Sequence, residues 1–138
     1  MPPTCGLALG QARLLIAIVD DEESIRRALS RLLRASGMDC RTFSCGLDFL
    51  KSLKESRFDC VVLDVHMSRV SGFDVQASLA RMGAGIPVIV ITGRDSDETR
   101  QRVMAAGAAA YLRKPIEEQV LLSAVAEAVA GEPDRIPE

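Results

Sequence analysis

Tryptophan is absent from this 138-residue chain, tyrosine occurs once and phenylalanine four times. So sparse an aromatic set offers no platform for stacking bases and obliges the core to be aliphatic. A surplus of one charge is also lacking: 17 Lys and Arg stand against 19 Asp and Glu, for a net charge of -2 and a pI near 5.5. The cations are interleaved with acids, so no basic patch able to neutralise phosphates forms, and no direct nucleic-acid binding is expected. Histidine occurs once. The four cysteines, Cys5, Cys40, Cys45 and Cys60, form no CxxC pair, which leaves a Cys/His zinc site short of ligands. Cys60 lies in an apolar run and reads as a small core residue. A Cys40–Cys45 disulfide is conceivable but disfavoured in a reducing compartment. Long hydrophobic runs are missing as well. The run at 14–19 is far too short to cross a bilayer, and the opening MPPTCGLALGQAR lacks the basic start of a signal peptide. A cytoplasmic protein with no membrane partner is expected.

What is present is regular alternation. The length suits one domain with one core. LLIAIV (14–19) reads as a strand buried on both faces, and Ile25, Leu29, Leu32 and Leu33 recur at helical spacing before a stop at Gly37. DCRTF (39–43) predicts a weaker strand nearer an edge. Ser44 is a candidate cap for a helix through about Glu55, with Leu47, Leu50 and Leu53 inward. FDCVVL (58–63) predicts a third strand, and Ser71 a cap for a helix from Phe73 to about Met82. PVIVI (87–91) and AAAYL (108–112) predict the last two strands, with helices over about 98–106 and 117–130 ended by Gly107 and Gly131. Residues 1–13 read as an N-terminal extension, 14–130 as the domain and 131–138 as a polar tail or the start of a linker.

Five strand–helix units in strict alternation require a parallel sheet with helices on both faces, a doubly wound α/β fold. In such sheets the ligand site lies beyond the carboxyl ends of the strands. The residues there are Asp20, Asp21, Asp64, Thr92 and Lys114. Three carboxylates at strand ends would repel one another unless a hard divalent cation with oxygen ligands joined them, and Mg²⁺ suits the set. Asp64 beside a metal and a lysine is a nucleophile able to form an aspartyl-phosphate. Lys114 brings a point charge for a phosphate oxygen, and a cis bond to Pro115 would aim it inward. Thr92 offers a hydroxyl, with Gly93 leaving space beside it. Each residue also has a plainer reading: Asp20 and Asp21 as helix caps, Asp64 as a turn residue, Lys114 as a solvated side chain. Their common location favours the chemical one.

The segments VDDEESIRRAL, VVLDVHMSRVSGFD, VIVITGRDS and YLRKPI together resemble the receiver domains of bacterial two-component response regulators, over about 14–130. Asp64 precedes Thr92 by 28 residues and Lys114 by 50, offsets that look most like the subgroup typified by nitrogen-fixation regulators with a DNA-binding output domain. The resemblance implies a flavodoxin-like five-stranded sheet in the order 2-1-3-4-5. It implies Asp64 as phosphoacceptor and Mg²⁺, or Mn²⁺ in its place, ligated by Asp21, Asp64 and the His66 backbone carbonyl, with Asp20 acting through water. Thr92 and Lys114 would hold the phosphoryl group, Thr92 and Tyr111 would form the switch pair, and His66 and Arg94 would tune how readily water attacks the acyl phosphate. A sensor histidine kinase would be the donor. The surface of the fourth helix, fifth strand and last helix would pass the signal to an output domain, a partner protein or a second copy. Such a chain acts on itself and is not an enzyme toward other substrates. Ser68 stands where the family usually has proline, which frees the loop after Asp64.

Rival readings are weaker. An FMN-binding domain would cradle phosphate after the first strand, where Asp20 and Asp21 would repel it. An aspartyl-phosphate hydrolase would want a carboxylate two residues after its nucleophile, where this chain has His66. A receiver-like module working by contact alone would not need the full acceptor set.

Overall fold

The computed structural model describes residues 13–131. Its elements run β1 (Leu15–Val19), α1 (Glu23–Ala35), β2 (Asp39–Phe43), α2 (Gly46–Ser52), β3 (Cys60–Asp64), α3 (Gly72–Met82), β4 (Val88–Thr92), α4 (Asp97–Ala105), β5 (Ala110–Arg113) and α5 (Glu118–Ala130). The strands form one parallel sheet in the order β2-β1-β3-β4-β5, the doubly wound arrangement expected. Among the described residues no helix is long and apolar enough to cross a membrane. The extension at 1–12, with Cys5, and the tail at 132–138 lie outside the described residues.

Side chains alternate across a strand with a period of two, and this divides the core. Ile16, Ile18, Val62, Ile89 and Ile91 face α1 and α5, where they meet Leu29, Leu33, Leu121 and Val125. Ala17, Val19, Val61, Leu63 and Val90 face the other helices and meet Phe49, Val75, Leu79 and Val103. Scarce as they are, the aromatics are concentrated. Phe43, Phe49 and Phe58 form a triangle with centroids 5.6, 5.7 and 6.0 Å apart, a separation at which edge-to-face rings attract.

Local chemistry sets the helix ends. Ser71 accepts from the Asp74 amide while the Asp74 carboxylate accepts from the Ser71 amide, a complete capping box for α3. Gly37 and Gly107 follow α1 and α4 at φ 93° and 100°, where a β-carbon is strained. Three expectations need correction. The N-cap of α2 is Cys45, not Ser44, and makes no side-chain cap bond. Leu47 does not face inward: it is exposed, and Phe49 takes the buried place beside Leu50 and Leu53. The fifth strand begins at Ala110, because Ala108 and Ala109 close the turn after Gly107, with the Ala109 amide donating to the Val88 carbonyl at 2.7 Å. Cys40, Cys45 and Cys60 are free thiols, and burial pushes the Cys40 thiol up.

Candidate functional site

The carboxyl ends of β1, β3, β4 and β5 bring Asp20, Asp64, Thr92 and Lys114 to one edge of the sheet. Asp20 follows β1 directly and is held on three sides. Its amide donates to the Phe43 carbonyl at 3.1 Å, its Oδ1 accepts from the Glu22 amide at 2.9 Å, and its own carbonyl accepts from Arg26 Nη1 at 2.7 Å. Neither aspartate caps α1, whose N-cap is Glu22 without a side-chain cap bond. Asp64 is the last residue of β3, and its Oδ1 accepts from the His66 amide at 3.2 Å. Asp20 and Asp64 are 0% and 3% exposed, so both carboxylates have lost most of their water.

Lys114 leaves β5 ahead of a cis bond to Pro115, and its Nζ lies 2.8 Å from Asp20 Oδ2, 3.3 Å from Glu22 Oε1 and 3.5 Å from Asp64 Oδ2. One ammonium thus serves three acids. Its approach to Asp20 Oδ2 is close but off the hydrogen-bonding direction, so the contact is an ion pair, and that buried oxygen keeps no aligned donor. Burial works to lower the Lys114 value, but the close ion pair with Asp20 and the charge of Asp64 outweigh it and push the value up.

Carboxylate oxygens of Asp20, Asp21 and Asp64 lie within 4.8 Å of one another, close enough to share one ion. The donors are all hard oxygens, two of the three residues are buried, and Asp20 Oδ2 lacks an aligned partner. These residues fit a divalent cation of the Mg²⁺ class.

Burial, reinforced by the Asp20 charge and opposed by Lys114, raises the Asp64 carboxyl above its ordinary range. A folded-state value above the unfolded one means that protonated Asp64 supports the fold. That support is complete below the ordinary value of about 3.9 and is lost as pH rises through the folded value. In metal-free buffer Asp64→Asn should therefore raise Tm at neutral pH, by about 4 °C for each kcal/mol recovered. The gain should vanish in melts below the ordinary carboxyl range, and equal neutral-pH melts would contradict this account.

Thr92 ends β4 fully buried, and its Oγ1 accepts from the Arg94 amide at 2.9 Å, which leaves the hydroxyl proton free for another acceptor. A β-carbon on Gly93 would meet Lys114 Cδ at 3.8 Å, an ordinary contact, so glycine is not forced there by crowding. Tyr111 packs half-buried against the α2–α4 side of the core, and its hydroxyl donates to Asp95 at 2.8 Å. The Arg94 side chain is exposed, whereas His66 is half-buried with its Nε2 enclosed and unpartnered.

The loop after Asp64 carries Ser68 in an exposed position, yet buried Val65 and Met67 anchor it. Arg69 takes φ 68°, and Gly72 donates to the Val65 carbonyl at 3.1 Å. A β-carbon on Gly72 would fall 2.5 Å from Val65 Cα and 2.6 Å from the Asp64 carbonyl oxygen. Backbone cannot yield as a side-chain tip can, so Gly72→Ala should cost about 2–3 kcal/mol in denaturant melts. A cost within error would show that α3 shifts freely beneath the site.

Glu22, Arg26, Asp95 and Gly72 escaped the sequence reading. Glu22 stands next to the Asp pair, but nothing in the string says that it turns toward Lys114. Asp95 lies three residues after Thr92, and only the fold sets it against Tyr111.

A statistical description of the family "Response regulator receiver domain" matches residues 16–126. The response regulator protein TmoT of Ectopseudomonas mendocina is 36% identical over 121 residues, 88% of this chain and 55% of its own length. Nodulation protein W of Bradyrhizobium diazoefficiens is 37% identical over 116 residues, 84% of this chain and 51% of its own. Among solved structures, FixJ-N superposes with a TM-score of 0.81 at 30% identity, covering 88% of this chain and 97% of that one. The chain spans about half the length of the curated relatives it matches. With the family pattern running across nearly the whole sheet and its helices, this chain belongs to the response regulator receiver domains of two-component systems.

Proposed function

We propose that Asp64 accepts a phosphoryl group from the phosphohistidine of a sensor histidine kinase, with Mg²⁺ or Mn²⁺ held by Asp20, Asp21, Asp64 and the His66 backbone carbonyl. The observation that carries this reading is the buried Asp64 carboxylate, which shares a 4.8 Å cluster with two further carboxylates and lies 3.5 Å from Lys114 Nζ. A carboxylate oxygen forms the new bond to phosphorus as the bond to the donor nitrogen breaks, and the imidazole leaves with the electron pair. Phosphoryl transfer needs positioning and neutralised charge more than covalent help. The metal supplies part of that neutralisation. Lys114 supplies the rest by turning from Asp20 and Glu22 to a phosphoryl oxygen, and Thr92 donates its free proton to another. Thr92 and Tyr111 act as the switch pair, and His66 and Arg94 set how water reaches the acyl phosphate. Residues 14–130 form the working domain, in the cytoplasm with its donor. Incubation with acetyl phosphate and Mg²⁺ should add one phosphate, stable in acid and released by hydroxylamine. No mass gain with Mg²⁺ present would overturn the proposal.

The signal leaves by the surface of α4, β5 and α5, toward an output domain, a partner protein or a second copy. Asp95, Arg100 and Arg113 put both signs of charge there, and mixed signs suit a self-complementary, salt-sensitive contact. Sedimentation of the beryllofluoride-bound form should show a weak dimer that dissociates as salt rises. A monomer at low as well as at high salt would exclude the homodimer and leave the output domain or partner protein.

A further inference from the structure

Of the nine residues of α4 only Val103 is buried, so apolar packing fastens the helix at one point, and so short a helix has little stability of its own. The remaining ties divide by end. Near the N-terminus they run to β5. Asp95 accepts from the Tyr111 hydroxyl at 2.8 Å and pairs with Arg113 at 3.6 Å, and the Arg100 guanidinium lies 5.3 Å from the Tyr111 ring centroid. Near the C-terminus they run to α3. Gln76, only 4% exposed, donates through Nε2 to the Val103 carbonyl at 3.1 Å, and the Arg102 guanidinium lies 3.7 Å from the Phe73 ring centroid. The Ala108 amide donates to the same Val103 oxygen at 3.1 Å, so the bond from Gln76 acts on the last turn of the helix.

Gln76 is a costly choice for packing alone. Its Oε1 is buried without a partner, and turning the amide over would set two acceptors face to face. An apolar side chain of similar length would fill the place without that cost. The bond to Val103 is what the glutamine adds.

We infer that Gln76 pins the C-terminal half of α4 to α3 and makes it the pivot about which the N-terminal half swings when the signal passes. This rests on the proposed phosphorylation of Asp64. A pull on Thr92 reaches Asp95 three residues on, at the end of α4 away from Gln76. The contacts of Asp95 and Tyr111 are exposed and yield first, while the buried bond at Val103 holds. Gln76 is thus a positioning residue that decides which part of the output surface moves.

Amide hydrogen exchange of the full chain, read at Arg100 and Ala108, tests this. In the unmodified protein Gln76→Met should speed exchange at Ala108 about five- to tenfold, the factor that one hydrogen bond supports, and leave amides of β1 and β3 unchanged. In the wild type, beryllofluoride with Mg²⁺ should change exchange at Arg100 and not at Ala108; in Gln76→Met it should change both. Unaltered Ala108 exchange in the variant overturns the pin. So does faster exchange across β1 and β3 alike, which marks a general loss of stability. A wild-type response equal at both ends, a comparison that needs no variant, overturns the pivot. Intact mass after acetyl phosphate, measured on the same samples, separates these results from failure of the Asp64 reading, because the unmodified variant still reports on the pin.

Discussion

Asp64→Asn should take up no phosphate from acetyl phosphate in Mg²⁺, where the wild type should take up one. The amide keeps the shape of the carboxylate and removes its nucleophilic oxygen, so chemistry is lost without loss of fold. No other acid among the described residues combines burial with reach to Lys114 and to the carboxylate cluster except Asp20. Asp20 is the group to watch: its Oδ2 lies nearest to Lys114, but its Oδ1 is engaged by the Glu22 amide. If phosphate appears on Asp64→Asn at full stoichiometry, peptide mapping will show whether Asp20 took it, and the acceptor assignment fails. Raised stability of the same variant in metal-free buffer would demonstrate that its inertness is not unfolding.

Replacing Asp20 and Asp21 together by Ala should lower Mg²⁺ affinity by about 100-fold or more, since it removes two of the three carboxylates that could hold a hard cation by oxygen charge. The expected sign of the stability change is opposite to that of most buried substitutions. Asp20, Asp21 and Glu22 crowd beside Asp64 with one ammonium to serve them, so removing two negative charges relieves repulsion in metal-free buffer. It also strips Lys114 of its 2.8 Å partner, and that loss offsets part of the gain. The Mg²⁺ titration decides the question and the melt supports it. Unchanged affinity would return the pair to a purely structural role at the head of α1.

The architecture was legible because the three central strands are apolar on both faces and the helices are not. LLIAIV, CVVL and VIVI cannot be amphipathic helices, and three such runs with two weaker strand segments, alternating with helical periods, admit few topologies. The meeting of the candidate residues was legible for the same reason: polar residues directly after buried strands have only one edge on which to emerge. Where reading failed, the deciding forces were tertiary. Leu47 and Phe49 both fit an inner face of α2, and the aromatic triangle with Phe43 and Phe58 selected Phe49. Ser44 is a better cap by type than Cys45, yet the chain enters the helix one residue later. Glu22 and Asp95 act through partners 92 and 16 residues away, separations that no local pattern encodes.

Helix α5 runs back along the sheet, so Gly131 comes to rest beside Gly85, Pro87 and Gly107, at the amino edge of the strands. The carboxylates lie at the opposite edge, a strand of five residues or about 17 Å away. Gly85 and Gly107 themselves take φ 68° and 100°, where a side chain is strained, so a label belongs on a neighbouring position. A fluorophore, a surface tether or a fused reporter placed at this amino edge would therefore hold the molecule by its far end. The carboxylate cluster and the first turn of α4 would stay free for optical or force measurements.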